Sequence, residues 1–106
     1  MSARTKARKR AIDILYVADV RQISAAESLA AEAERAASEP SRQASWLYAR
    51  EIVDGIVDHR EEIDELIETY SQGWTLARMP IIDRAILRIG IWEILYNDAV
   101  PHAVAI

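Results

Sequence analysis

Near the start of the chain, Ala7, Ala11, Ile14, Leu15 and Ala18 recur at the spacing that puts apolar side chains on one face of a helix. A helix over residues 3–20 is predicted. Ser24-Ala25-Ala26-Glu27 then has the spacing of a capping box, in which the serine oxygen accepts from a free amide and the glutamate reaches back. An alanine-rich helix is expected to follow as far as Ala37. Ser38-Glu39-Pro40-Ser41 reads as a loop and as the mobile connection of the chain. A third helix is expected from Ser41 or Arg42 to Val57, burying Trp46, Ala49, Ile52, Val53 and Ile56 in one stripe. Asp58 and Glu61 repeat the capping-box spacing with an aspartate where the box normally has Ser or Thr. They open a fourth helix with an inward face of Ile63, Leu66, Ile67 and Tyr70, which Gly73 is expected to stop because glycine takes a left-handed terminal conformation without steric cost.

Residues 74–79 read as a connection, and Pro80 suits the first turn of a helix, where its missing amide hydrogen costs nothing. From residue 81 to residue 96 the sequence is apolar on nearly every side, the pattern of a helix buried on several faces at the centre of a bundle. Glu93 lies on the side of Ile82, Ile86 and Ile89. An unpaired charge is expensive there, so a hydrogen-bonding or cationic partner, or an edge open to solvent, is predicted for it. Asn97-Asp98 is the expected end, and Pro101 is expected to open another helix with His102, Ala103, Val104, Ala105 and Ile106. The sequence stops on that apolar start, so a chain truncated at its C-terminus is expected.

Composition agrees with an all-α bundle. The 106 residues contain 3 Gly, 3 Pro and no Phe, and a chain of this length forms one domain, residues 1–106, around one core. Without cysteine there is no disulfide framework, thiolate nucleophile or zinc site of the usual Cys-containing kinds, which fits a reducing cytoplasm. Asp13 and Asp19 break the apolar stretch after the basic N-terminus, unlike a signal peptide, and no apolar stretch approaches the ~20 residues that span a bilayer. A soluble, cytoplasmic protein is expected.

Charge changes the picture more. The net charge of −4 taken alone argues against a nucleic-acid partner, yet Arg4, Lys6, Arg8, Lys9 and Arg10 account for 5 of the 13 basic residues and have no acid among them. A basic end on an acidic body is implied. At about 100° per residue, Arg8 and Arg10 flank the apolar stripe of the first helix while Lys6 and Lys9 lie opposite it, and Tyr16 shares the outer face of Lys9 two turns on. An exposed ring beside cations is how single-stranded RNA is held, with bases stacked and phosphates neutralised. A solvated basic helix start, with Tyr16 packed on a neighbouring helix, gives the same pattern. Catalysis has less support: His59 and His102 stand apart from any nucleophile or HExxH helix, Glu61-Glu62 and Asp64-Glu65 read as a solvated face, and three scattered glycines make no phosphate loop. Neither an enzyme nor a cofactor is expected.

The segment from Ala7 to Tyr16, Ala-Arg-Lys-Arg-Ala-Ile-Asp-Ile-Leu-Tyr, resembles the opening helix of the NusB family. Asp83-Arg84-Ala85-Ile86-Leu87-Arg88-Ile89-Gly90-Ile91-Trp92-Glu93-Ile94-Leu95 resembles its central helix, and Val100-Pro101-His102-Ala103-Val104-Ala105-Ile106 the start of the helix after that. The blocks occur in the family's order and spacing over the whole chain. The resemblance implies an all-α fold of two small helical subdomains and binding to the boxA element of ribosomal RNA leader transcripts, together with NusE, the ribosomal small-subunit protein that doubles as an elongation factor. It also implies a place in the transcription elongation complex, assisting read-through by RNA polymerase. Arg8 and Tyr16 match positions of the family's RNA-binding helix, with Arg4, Lys6, Lys9 and Arg10 supplying its basic character. Some members form a homodimer that covers this surface. The family normally continues past the segment ending at Ile106 with helices that complete the second subdomain and add RNA contacts. Two other readings remain: an RNA-binding accessory domain of a ribosomal RNA cytosine-5 methyltransferase, whose Rossmann sheet and reactive cysteine are absent here, and a helical protein-interaction module.

Overall fold

The computed structural model describes residues 2–71 and 75–97, and among them the chain is all helix and turn, with no strand. Helix α1 spans Ala3–Arg21, α2 Ala25–Ala37, α3 Gln43–Asp58, α4 Arg60–Tyr70 and α5 Ile81–Tyr96. The predicted stop at Gly73, the end at Asp98 and the helix from Pro101 through Val104 and Ile106 lie outside the described residues.

The apolar stripe of α1 packs chiefly against that of α3, and α2 lies across both. Ala7, Ala11 and Ala49 are fully buried, small side chains that let the two backbones approach, while Ile14, Leu15, Ile52, Val53 and Ile56 fill the space between. Helix α5 packs against α1, α3 and α4. A glycine makes one of these contacts possible. A Cβ on Gly55 would stand 2.0 Å from the indole Nε1 of Trp92, a buried side chain, so the cost of glycine within α3 is offset by the seat it leaves for that ring.

The predicted cap at Ser24 forms, its hydroxyl oxygen accepting the Glu27 amide at 3.0 Å. The one at Asp58 does not. Asp58 is the last residue of α3, and His59 turns the chain into α4 with its own amide donating to the Gly55 carbonyl and its carbonyl accepting from Ile63. As a helical residue of α3, Asp58 lacks the extended backbone from which a capping side chain reaches the amides of the next helix. The expected loop at residues 38–41 is instead tied down. Pro40–Arg42 forms a 3-10 turn, Arg42 pairs with Glu39, and the Gln43 side chain donates to the Ala36 carbonyl.

Three apolar expectations need correction. Tyr70, placed on the inward face of α4, is 78% exposed, because it is the last residue of its helix and the stripe has run past its cover. Leu76 and Met79, read as plain connection, are buried around a second 3-10 turn. Helix α5 is not covered all round: Ile82, Ile86, Leu87 and Leu95 are exposed. Pro80 precedes the helix rather than opening it.

Glu93 has the partner its position demands. Only 1% exposed, its carboxylate accepts Arg8 Nε and Nη2 at 2.8 Å each and the Tyr48 hydroxyl at 2.9 Å, and Asn97 Nδ2 donates to that hydroxyl oxygen in turn. The bidentate pair joins α1 to α5 and the tyrosine joins both to α3. A second buried ion, Arg88, binds Asp64 of α4 through two N–H groups at 2.9 and 3.2 Å and approaches Asp19 of α1 at 3.6 Å. Asp64, read as part of a solvated face, is therefore a structural anion, whereas Glu61, Glu62 and Glu65 are exposed as expected.

Removing one side of a buried pair strands the other, so Arg8→Ala is expected to cost about 3–5 kcal/mol. Adding Glu93→Leu to that variant should restore part of the loss in a double-mutant cycle followed by thermal melting. Gly55→Ala should cost about 1–3 kcal/mol by displacing Trp92, seen as a lowered melting temperature. Burial, then the hydrogen bond to Glu93, pushes the Tyr48 hydroxyl from its ordinary 10.0 up to about 12. The unfolded chain thus loses this proton first as pH rises, so the stability is present below pH 10.0 and is lost as pH climbs to about 12. Tyr48→Phe should flatten that alkaline loss in denaturant titrations relative to the parent chain.

Candidate nucleic-acid interface

The basic segment lies within the first two turns of α1, where Ser2 caps the helix by accepting the Thr5 amide at 3.1 Å. No acid occupies that first turn. Helix amides leave a partial positive charge at this end, so the cations sit where the dipole opposes them and where an anion gains from both.

The six predicted contact residues divide by position. Lys6 and Lys9 are exposed, and neither has an acidic partner among the described residues. Tyr16 is 42% exposed on the face of Lys9, with Asp13 also exposed on that side of the helix. Arg4 is exposed with its guanidinium 5.8 Å from the centre of the Tyr48 ring. Arg8 is turned inward, its side chain 20% exposed and its proton held more tightly than usual by the hydrogen bonds to Glu93. Arg10 is also engaged within the fold, donating to Ser45 Oγ at 2.8 Å and to Glu32 Oε1 at 3.1 Å.

Around Glu32 the fold gathers residues that the pattern of α1 leaves aside. Its carboxylate accepts from Arg10 of α1 and from Arg35 of α2 at 2.9 Å, and lies 3.6 Å from Arg42 of the 3-10 turn. Glu39 and Glu32 hold the Arg42 guanidinium above its ordinary range, with the hydrogen bond to Glu39 the larger influence. The sequence contains only the local part of this cluster, two acid–arginine pairs with partners three residues apart, one before Pro40 and one spanning it. Arg10 joins from 22 positions away, which no spacing announces.

Elsewhere the chemistry is sparse. The open groove between α4 and α5 is lined by Leu66, Ile67, Tyr70, Leu87, Ile91 and Leu95, with no charged group on its walls. The described residues contain no cluster of His, Asp and Glu able to hold a metal ion, and no helix among them is long and apolar enough to cross a membrane.

Known proteins share this arrangement along its length. The NusB family matches residues 5–106. A transcription antitermination protein NusB of Leifsonia xyli subsp. xyli is 76% identical over 106 residues, which is all of this chain and 74% of that protein. The one of Beutenbergia cavernae is 52% identical over 111 residues, again all of this chain and 72% of that protein. Among solved structures, the solution structure of NusB from Aquifex aeolicus superposes with a TM-score of 0.75 at 29% identity, over 99% of this chain and 70% of that one. A chain in a crystal structure of a plectonemic RNA supercoil gives 0.80 at 29% identity, over 99% and 75%. With helices in the same arrangement and relatives this similar from end to end, the chain belongs to the NusB family.

Proposed function

We propose that this chain is a transcription antitermination factor that binds the boxA element of ribosomal RNA leader transcripts through α1, acting with NusE in the cytoplasm to help RNA polymerase read through terminators. The observation that carries the reading is the outer face of α1: two lysines without acidic partners in the N-terminal half of the helix and, two turns on from Lys9, a half-exposed tyrosine. The names of the relatives and the RNA in one similar structure support it.

In this reading Lys6 and Lys9 meet phosphates directly and Arg4 adds charge beside them. Tyr16 stacks on an unpaired base. Arg10 reaches RNA from the flank of α1, and Arg8 contributes what its bidentate bond to Glu93 leaves free, chiefly the third nitrogen of its guanidinium. NusE docks on the acidic body, of which Glu61, Glu62 and Glu65 form one exposed row. A homodimer that covered α1 would compete with RNA for the same side chains. The role is binding rather than catalysis.

The two kinds of contact separate experimentally. Lys9→Ala should weaken a boxA-like strand and a scrambled strand alike, flattening the salt dependence by about one phosphate contact. Tyr16→Ala should lower affinity about 5- to 150-fold at unchanged salt slope, with Tyr16→Trp keeping most of it. Anisotropy titrations beside melting curves check both. If Tyr16→Ala lowers the melting temperature and leaves the affinity of the folded fraction unchanged, the stacking role is wrong.

A further inference from the structure

Glu32 lies beneath its arginines. Its side chain is 10% exposed, whereas that of Arg35 is 64% exposed and that of Arg42 31%. Three guanidinium groups thus meet two carboxylates, those of Glu32 and the more exposed Glu39, and the surplus is positive. Each guanidinium has five N–H groups, and the acids take only part of that supply. The donors left over on the outer guanidinium groups belong to side chains already held in place, Arg10 by Ser45 and Glu32, Arg35 by Glu32, and Arg42 by Glu39. Held forks lose less freedom when they close on an anion than mobile ones do.

The cluster also continues the basic face of α1. Lys6 and Arg10 are one turn apart on the same side of that helix, so positive charge runs from Lys9 and Lys6 across Arg10 to the end of α2 and the turn beyond it. We propose that Arg35 and Arg42, with Arg10 between them and α1, form a second phosphate-binding locus for the single-stranded RNA that α1 engages, and that Glu32 is the positioning residue which keeps their forks directed outward. The proposal rests on RNA binding by α1 and extends the strand's path sideways from that helix onto α2. Phosphate suits the locus because a guanidinium fork matches two of its oxygens, and because the cations lie on the solvent side of a carboxylate that has already been covered.

The test is a salt series of anisotropy titrations on the full chain with a single-stranded, boxA-like RNA, with Lys9→Ala as the marker of the α1 site. Arg35→Ala should bind about fivefold more weakly at roughly 0.1 M salt, with the slope of log affinity against log salt reduced by about 0.7, the value of one single-strand phosphate contact. Its melting temperature should stay near that of the parent, since Glu32 retains Arg10 and Arg42. Arg35→Lys should keep most of the slope, and the pair Arg35→Ala with Arg42→Ala should lose about two contacts. Parental affinity and slope in the alanine variants, beside a loss in Lys9→Ala, would overturn the second locus and leave the α1 site standing. No RNA binding by the parent chain would overturn both. Competition by polyglutamate as strong as that by unlabelled RNA of equal charge would make the locus a surface for acidic protein and overturn the phosphate assignment.

Discussion

A carboxylate taken out of water at the centre of a small helical domain has to be answered, and the answer given to Glu93 fixes how three helices meet. Arg8 brings two N–H groups from α1 and Tyr48 an O–H from α3, so each oxygen of the acid has a donor. An apolar residue in place of Glu93 need not pack less well, since buried ion pairs often fail to outdo hydrophobic contacts of the same volume. What the pair supplies is register. A stripe rich in alanine is nearly self-similar under a shift along the helix, whereas a bidentate fork fits its carboxylate at one position only. Once Arg8 faces Glu93, Lys6 and Lys9 must face solvent, because the helix turns about 100° per residue.

The basic segment therefore does two jobs that its sequence runs together. Its arginines at positions 8 and 10 bind carboxylates and a hydroxyl inside the fold, work that suits a planar fork with several donors. Its lysines at 6 and 9 stay in water, as mobile point charges do at little cost. Arg88 repeats the inner pattern earlier on α5, where it pairs with Asp64 of α4 and Asp19 of α1. A net acidic chain thus presents a local positive face, because part of its acid is spent on internal arginines and the unpaired lysines are collected on one side of α1.

Periodicity made most of the helical framework legible. The stripes of α1 and α3 were readable because apolar positions there alternate with polar ones at the helical repeat, and every residue of both predicted stripes is buried. Helix α5 was readable as a helix but not by face, since a segment apolar all round gives the period nothing to contrast. Tyr70 shows the same weakness at a helix end, where the repeat continues for a residue after the neighbouring element has stopped. In the candidate site, the outward set of Lys6, Lys9 and Tyr16 followed from angles along one helix. The inward turn of Arg8 did not, because its partner lies 85 residues away. The need of Glu93 for a partner was legible from one end of that contact, and which cation would supply it was not. Glu32 was hidden for a related reason, as it interrupts an alanine-rich helix whose composition suggested no chemistry.

These relations come together in where RNA touches the protein, and ultraviolet cross-linking of a boxA-like strand to the intact chain, with the attached peptides identified by mass spectrometry, reads that directly. Adducts on the α1 peptide, at Tyr16 and beside Lys9, with none on the acidic outer row of α4, are the predicted result. Adducts concentrated on α4 or along the apolar groove beside α5, with α1 unmodified, would contradict the assignment of the basic helix as the RNA face.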